Sequence, residues 1–156
     1  MKIEVLNSTG KPSDSCVASF EKYCRTKLPE DFLEFTCYGN GGYPKKGSFK
    51  HFNNERLIER FLPLMDDPNA DSSNGQYDMA VVETQIGERL TSNPDQIGCT
   101  LIPFAALFAG DFLCFDYREN MKSPVVVLWD HSRSEEFSPF TEPVANSFSE
   151  LIAALS

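Results

Sequence analysis

The residues best placed to do chemistry lie in the C-terminal half. Asp111 and Asp116 bracket an apolar run in GDFLCFDYREN, and Asp130 and His131 follow PVVVLW. A carboxylate in such surroundings costs free energy unless it is paired or solvated. Two carboxylates ~5–10 Å apart would make a glycosidase-type pair, and carboxylates joined by an imidazole are metal ligands. Strand geometry decides between these. If DFLCFDY and PVVVLWD form a hairpin across RENMKS, with Tyr117 opposite Pro124, then Asp116 faces Val125 and Asp111 faces Asp130. At about 3.3 Å per residue, Asp116 and Asp130 then stand roughly 16 Å apart, too far for a catalytic pair or a shared metal. Asp111 and Asp130 meet at the other end, where like charges need solvent, a cation, or a partner's Lys or Arg. Asp116 shares a face with Phe112 and Cys114 and is expected to accept backbone N–H bonds where the hairpin ends.

The rest of the chain adds little catalytic equipment. Its two histidines, His51 and His131, are far apart in sequence. His51 is expected on the surface or half-buried in a strand. Asp111, Asp130 and His131 are the residues a metal-assisted enzyme would use, but transition-metal sites usually assemble three or four ligands. There is no GxSxG elbow and no P-loop, and the glycines of YGNGGYP follow a helix instead of a strand, so they do not make a dinucleotide turn. Cys16, Cys24, Cys37, Cys99 and Cys114 are odd in number and form no CxxC pair, which suits structural thiols in apolar surroundings. No catalytic residue, cofactor or metal ligand is assigned.

Composition narrows the partners. The 156 residues suffice for a single domain spanning 1–156, with a core at about 13–155. Twenty-three acidic residues against 14 basic ones give a net charge of −9, the wrong sign for nucleic acid or an anionic membrane. An acidic surface steers instead toward a basic protein. No apolar run reaches the roughly 20 residues of a membrane span. MKIEVLNSTGKPSDS carries no apolar segment of signal-peptide length, so a cytoplasmic location is expected.

The elements that must position these residues follow from periodicity. IEVL reads as a short strand. Ser13 or Ser15 caps a helix whose apolar face is Val17, Phe20 and Cys24. A second helix opens at Pro29 with Glu30 and Asp31 in its first turn, turns Phe32 and Phe35 inward, and ends at Gly39-Asn40-Gly41-Gly42. GSFKHF and RLIERFLPL read as strands, and DDPNADSSNG as a surface loop. Met79, Val82, Ile86 and Leu90 predict one face of a helix. CTLIPF, DFLCFDY and PVVVLWD predict three further strands, the last covered on both faces. Ser147 and Glu150 form a capping box for a closing helix of Phe148, Leu151, Ile152 and Leu155. This grouping predicts an α+β fold with a mostly antiparallel or mixed sheet flanked by helices.

The order of these motifs resembles the SUKH superfamily, the domain also found in fungal cell-wall assembly regulators. LPEDFLEFTCYGNGGYP is similar to its N-terminal signature. IPFAALFAGDFLCFDYREN, PVVVLWDHSRSEEF and a helix opening with SFSELI resemble its C-terminal part. The matching positions are Leu28, Pro29, Asn40, Gly41, Gly42, Pro103, Gly110, Asp111, Asp116, Trp129 and Phe148, most of them fold-defining. The resemblance implies an α+β binding module, and many bacterial members are immunity proteins that neutralise a cognate toxin, often a nuclease. It implies a non-enzymatic protein with a toxin as partner, the alternative being a regulatory scaffold. Acidic side chains that would cover a basic toxin surface are Asp66, Asp67, Asp71, Asp78, Asp111 and Asp130, with Tyr43 as an aromatic anchor.

Overall fold

The computed structural model describes residues 2–156. Six strands form one antiparallel sheet in sequential order: β3 (Ser48–His51), β4 (Asn54–Phe61), β5 (Leu101–Leu107), β6 (Phe112–Asp116), β7 (Val125–Trp129) and β8 (Thr141–Ala145). A separate antiparallel pair joins β1 (Val5–Leu6) to β2 (Tyr43–Pro44). The helices are α1 (Asp14–Cys24), α2 (Glu30–Gly39), α3 (Met79–Ile86) and α4 (Phe148–Ala154). The fold is therefore α+β, with every strand pair antiparallel.

Local chemistry starts each helix where it should. Ser13 accepts a hydrogen bond from Cys16 N at 3.1 Å and caps α1. Ser147 caps α4 through Glu150 N at 3.1 Å, and the Glu150 carboxylate reaches back to Asn146 N. Pro29 stands one residue before α2, where its missing N–H leaves no donor unpaired. Helix α3 is shorter than its periodicity predicts. It ends at Ile86, and Gly87–Arg89 tightens into a 3-10 turn. Met79 and Val82 thus enter the main core, while Leu90 lands in a second cluster.

The two clusters sit on opposite faces of the β6–β7 hairpin. Phe32 of α2 meets Phe115 at 5.2 Å and Phe148 of α4 at 5.3 Å, centroid to centroid, and Phe104 stacks on Phe115 at 4.2 Å. Each phenylalanine buried this way contributes about 1.5–3 kcal/mol. On the other face Leu90, Leu101, Cys114, Val127 and Trp129 pack together. Trp129 donates its indole N–H to Arg89 O at 2.9 Å, which holds the 3-10 turn on the sheet. Strand β7 is therefore covered on both sides, as its unbroken apolar run predicts.

Two strands have no counterpart among the elements that periodicity predicts, the short β2 (Tyr43–Pro44) and β8. Thr141–Ala145 contains Pro143, which cannot donate to a ladder, and it forms the β8 edge beside β7. Pro103 inside the interior strand β5 is accommodated by a register shift between Pro103 and Ala105.

The Asn40-Gly41-Gly42 turn joins helices to sheet. The Asn40 side chain is buried. Its amide donates to Gly10 O at 2.8 Å and Leu64 O at 3.0 Å, and its Oδ1 accepts from Leu64 N at 2.9 Å. A Cβ on Gly41, whose φ is +69°, would stand 2.7 Å from Pro63, and one on Gly42 would stand 2.1 Å from Val5. Asn40→Ala strands three backbone groups at once, two of them on buried Leu64. It is expected to lower unfolding free energy in urea by about 2–4 kcal/mol, since each orphaned group costs about 1–3 kcal/mol. A loss below about 1 kcal/mol would mean the bonds are replaced by solvent.

Candidate partner-binding surface

The β6–β7 register is the one the hairpin geometry predicts. Asp116 pairs with Val125, and Phe112 with Trp129, which sets Asp111 and Asp130 at the same end. Asp116 accepts from Arg118 N at 3.0 Å and holds the Arg118 guanidinium in a fork at 2.9 and 2.8 Å. Arg118 goes on to Thr141 Oγ1 at 2.8 Å, so this carboxylate fastens the hairpin end to β8.

At the other end, donor atoms of Asp111, Asp130 and His131 lie within 4.8 Å of one another. Their capacity is already used. Asp111 Oδ1 accepts from His131 N at 3.0 Å and faces His131 Nδ1 at 2.8 Å, while Oδ2 takes the Arg56 guanidinium at 2.8 Å. Asp130 Oδ1 closes a turn on Ser132 N and Oγ and lies near Arg133 N. Each carboxylate has its own cation from the chain: Arg56, reaching across from β4, for Asp111, and Arg133, 3.6 Å away, for Asp130. An Asp–His pair can serve as a general base, but among the described residues no hydroxyl or thiol is hydrogen-bonded to the remaining imidazole nitrogen.

A second group gathers around Arg60, which the pattern of β4 alone does not single out. The residue is only 1% exposed, and its guanidinium lies between two tyrosine rings, 4.9 Å from the centroid of Tyr43 and 4.6 Å from that of Tyr77. It donates to Gly41 O at 2.8 Å and Asn74 Oδ1 at 3.1 Å. The available signal is the spacing Arg56–Ile58–Arg60 on a strand with aromatics on either side, which reads as surface until the loop folds over it. The loop 63–79 closes through Met79 N to Pro63 O and Met65 N to the Asp78 carboxylate. Asp71 binds Ser73 N, Asn74 N and the Asn74 amide. The bonds from the Asn74 side chain and backbone, with the nearby Arg60 charge, hold its carboxyl below the usual value although burial opposes them.

The candidate side chains therefore divide. Tyr43 and Asp71 share the Arg60 cluster, and exposed Asp66 and Asp67 stand on the same loop. Asp78 is buried and accepts from Ala80 N and Val81 N, capping α3. Asp111 is buried in the Arg56 pair and Asp130 half-buried beside it. Of the seven, Tyr43, Asp66 and Asp67 are the exposed ones.

Two groups depart from expectation in burial. His51 is buried against the Phe52 ring, not on the surface or half-exposed. Glu83 of α3 is 6% exposed, its Oε2 has no partner, and burial pushes its carboxyl well above the usual range, with the Cys99 thiol beside it adding to the rise. No helix among the described residues is long and apolar enough to cross a membrane.

The model of a SUKH family described as SMI1-KNR4 cell-wall matches residues 14–152. The chain belongs to the SUKH superfamily, a family of generally non-enzymatic domains that includes toxin immunity proteins. A search of curated proteins finds no match.

Two outcomes follow from the charged clusters. Burial raises the Asp111 carboxyl, but His131 and Arg56 outweigh it and hold the group below its ordinary value of 3.8. A depressed carboxyl stabilises above its unfolded value, and that contribution is lost as pH falls through the folded one. Asp111→Asn is thus expected to cost about 2 kcal/mol at neutral pH, with the gap to wild type closing below pH 3.8. A pH-independent gap in urea titrations would contradict this. Arg60→Met is expected to cost about 3 kcal/mol. It should also speed amide exchange across residues 66–77 more than in β6; equal speeding in both would show that Arg60 does not hold the loop.

Proposed function

We propose that the protein is an immunity protein that neutralises a cognate toxin by stoichiometric binding. The observation that carries this reading is the SUKH match across residues 14–152, in a family that includes toxin-binding immunity proteins. Net charge supports it: with 23 acidic and 14 basic residues the chain is suited to a basic partner, such as a nuclease domain whose substrate groove is positive. The polar clusters support it too. Asp111, Asp116 and Asp78 each commit their oxygens to the chain's own donors, which favours a rigid binding surface over a reaction centre. Neutralisation then works by covering the toxin's groove with acidic side chains, with Asp66, Asp67 and Tyr43 as the exposed candidates. The protein would act in the compartment where the toxin arrives, the cytoplasm.

Co-expression with toxin domains encoded beside the gene tests this. The expected outcome is restored growth and a 1:1 complex by size-exclusion chromatography. If no adjacent toxin is neutralised and none co-purifies, while a stable cellular protein does, the regulatory-scaffold reading of the same family replaces it.

A further inference from the structure

The cleft between α1 and α3 holds a feature that the internal pairing leaves unexplained. A groove of about 490 Å³ runs along it, with Asp66 and Asp78 in its wall. A smaller cavity of about 160 Å³ adjoins it, and Tyr23 and Thr84 line both. The inner wall of the smaller cavity carries Glu83, and Thr91, Gln96 and Thr100 add oxygen acceptors around it. Among the described residues, no lysine or arginine lines either space.

Elsewhere in this fold a buried carboxylate has a cation or backbone donors. Asp111 has Arg56, Asp116 has Arg118, and Asp78 has three backbone N–H groups. Glu83 has only the Cys99 thiol beside it, which raises its carboxyl further, and its Oε2 has no partner. A glutamine or leucine would pack there at lower cost if packing were all that the position required. The groove outside is itself electronegative. Burial raises the Cys16 thiol to about 11, and Asp66 and Asp78 add to the rise. Tyr23, 54% exposed, stands at the shared rim as an aromatic surface over which a long aliphatic stem can lie.

We propose that the cleft between α1 and α3 is a contact surface for a basic protein partner, and that it seats one lysine or arginine side chain in the cavity against Glu83. The entering cation gives the Glu83 carboxyl the partner it lacks and bonds to the surrounding hydroxyls, while the groove beside Asp66 takes the flanking segment. This deepens the immunity reading by giving the toxin a defined basic anchor residue, and it rests on that reading only for the partner's identity.

The test uses the full chain and small probes. N-acetyl-lysine methylamide and N-acetyl-arginine methylamide are titrated separately into ¹⁵N-labelled protein, with the neutral citrulline analogue as control. Saturable shifts are expected at the amides of Thr84, Gly87, Gly98, Cys99 and Thr100 with one or both cations and not with citrulline. The stronger of the two identifies the anchor. Glu83→Gln should weaken that binding by at least about tenfold. Thr84→Arg, on an exposed position, should close the mouth with the fold unchanged. Shifts that are absent, equal with citrulline, or unaltered in both variants would overturn the proposal. Against a neutralising toxin, undiminished affinity of both variants rejects the cleft and leaves the immunity reading standing. Binding of the cationic probe at Glu83, with no toxin neutralised, supports the cleft and counts against immunity.

Discussion

The buried amide of Asn40 is the constraint on which the layout depends. Three backbone groups from two distant segments, Gly10 and Leu64, meet its side chain, and its own carbonyl accepts from Thr9 N and the hydroxyls of Ser8 and Thr9. Buried backbone groups need partners, and here one residue supplies them for chain that belongs neither to helix nor to sheet. The glycines that follow let Pro63 and Val5 approach more closely than any Cβ would allow. Helix α2 is thereby fixed against the end of β4, and β1 is brought to β2. The direction in which the loop 63–79 leaves the sheet follows from the same contacts.

Charge is also handled within the chain. Arg56 and Arg60 both belong to β4, yet they act in different places. Arg56 neutralises Asp111 at the far end of β6, whereas Arg60 pins the loop between two tyrosines. The irregularity between Ile58 and Arg60 breaks the alternation that would have carried both to equivalent surroundings. Burial takes more acids than bases out of solvent: Asp78, Glu83, Asp111 and Asp116 are buried, but only one arginine, Arg60.

Much of this was legible in the sequence, and the exceptions have physical causes. The β6–β7 register followed from loop length and alternation, because a one-residue slip would turn Phe115 and Tyr117 out of the core. The capping serines and the Asn-Gly-Gly turn were legible because capping is local chemistry. Strand β8 was not, because Pro143 masks an edge strand whose pairing comes from β7 and not from its own propensity. Sequence alone leaves the cation for Asp111 to solvent, a metal or a partner, whereas Arg56 supplies it from 55 residues away. Arg60 and Glu83 were missed for the same reason: a charged residue among alternating apolar ones reads as solvent-facing, and only tertiary closure buries it. His51 followed the same pattern, packed against Phe52 at the end of β3.

Three buried side chains retain a polar atom without a partner: His51, Arg60 and Glu83. They are not equivalent. Arg60 already makes two hydrogen bonds and two ring contacts, so its remaining N–H belongs to a site that is otherwise full. His51 lies against the Phe52 ring and lines neither cavity of the α1–α3 cleft. Glu83 differs in kind, because its carboxyl has neither a cation nor a backbone donor and because space adjoins it. Replacing such a group with one that packs without charge would stabilise the free protein, so a chain selected for folding alone has reason to lose it. Its presence beside an electronegative groove is explained by a ligand that brings the missing charge, and a binding module is the class of protein in which that ligand is another chain.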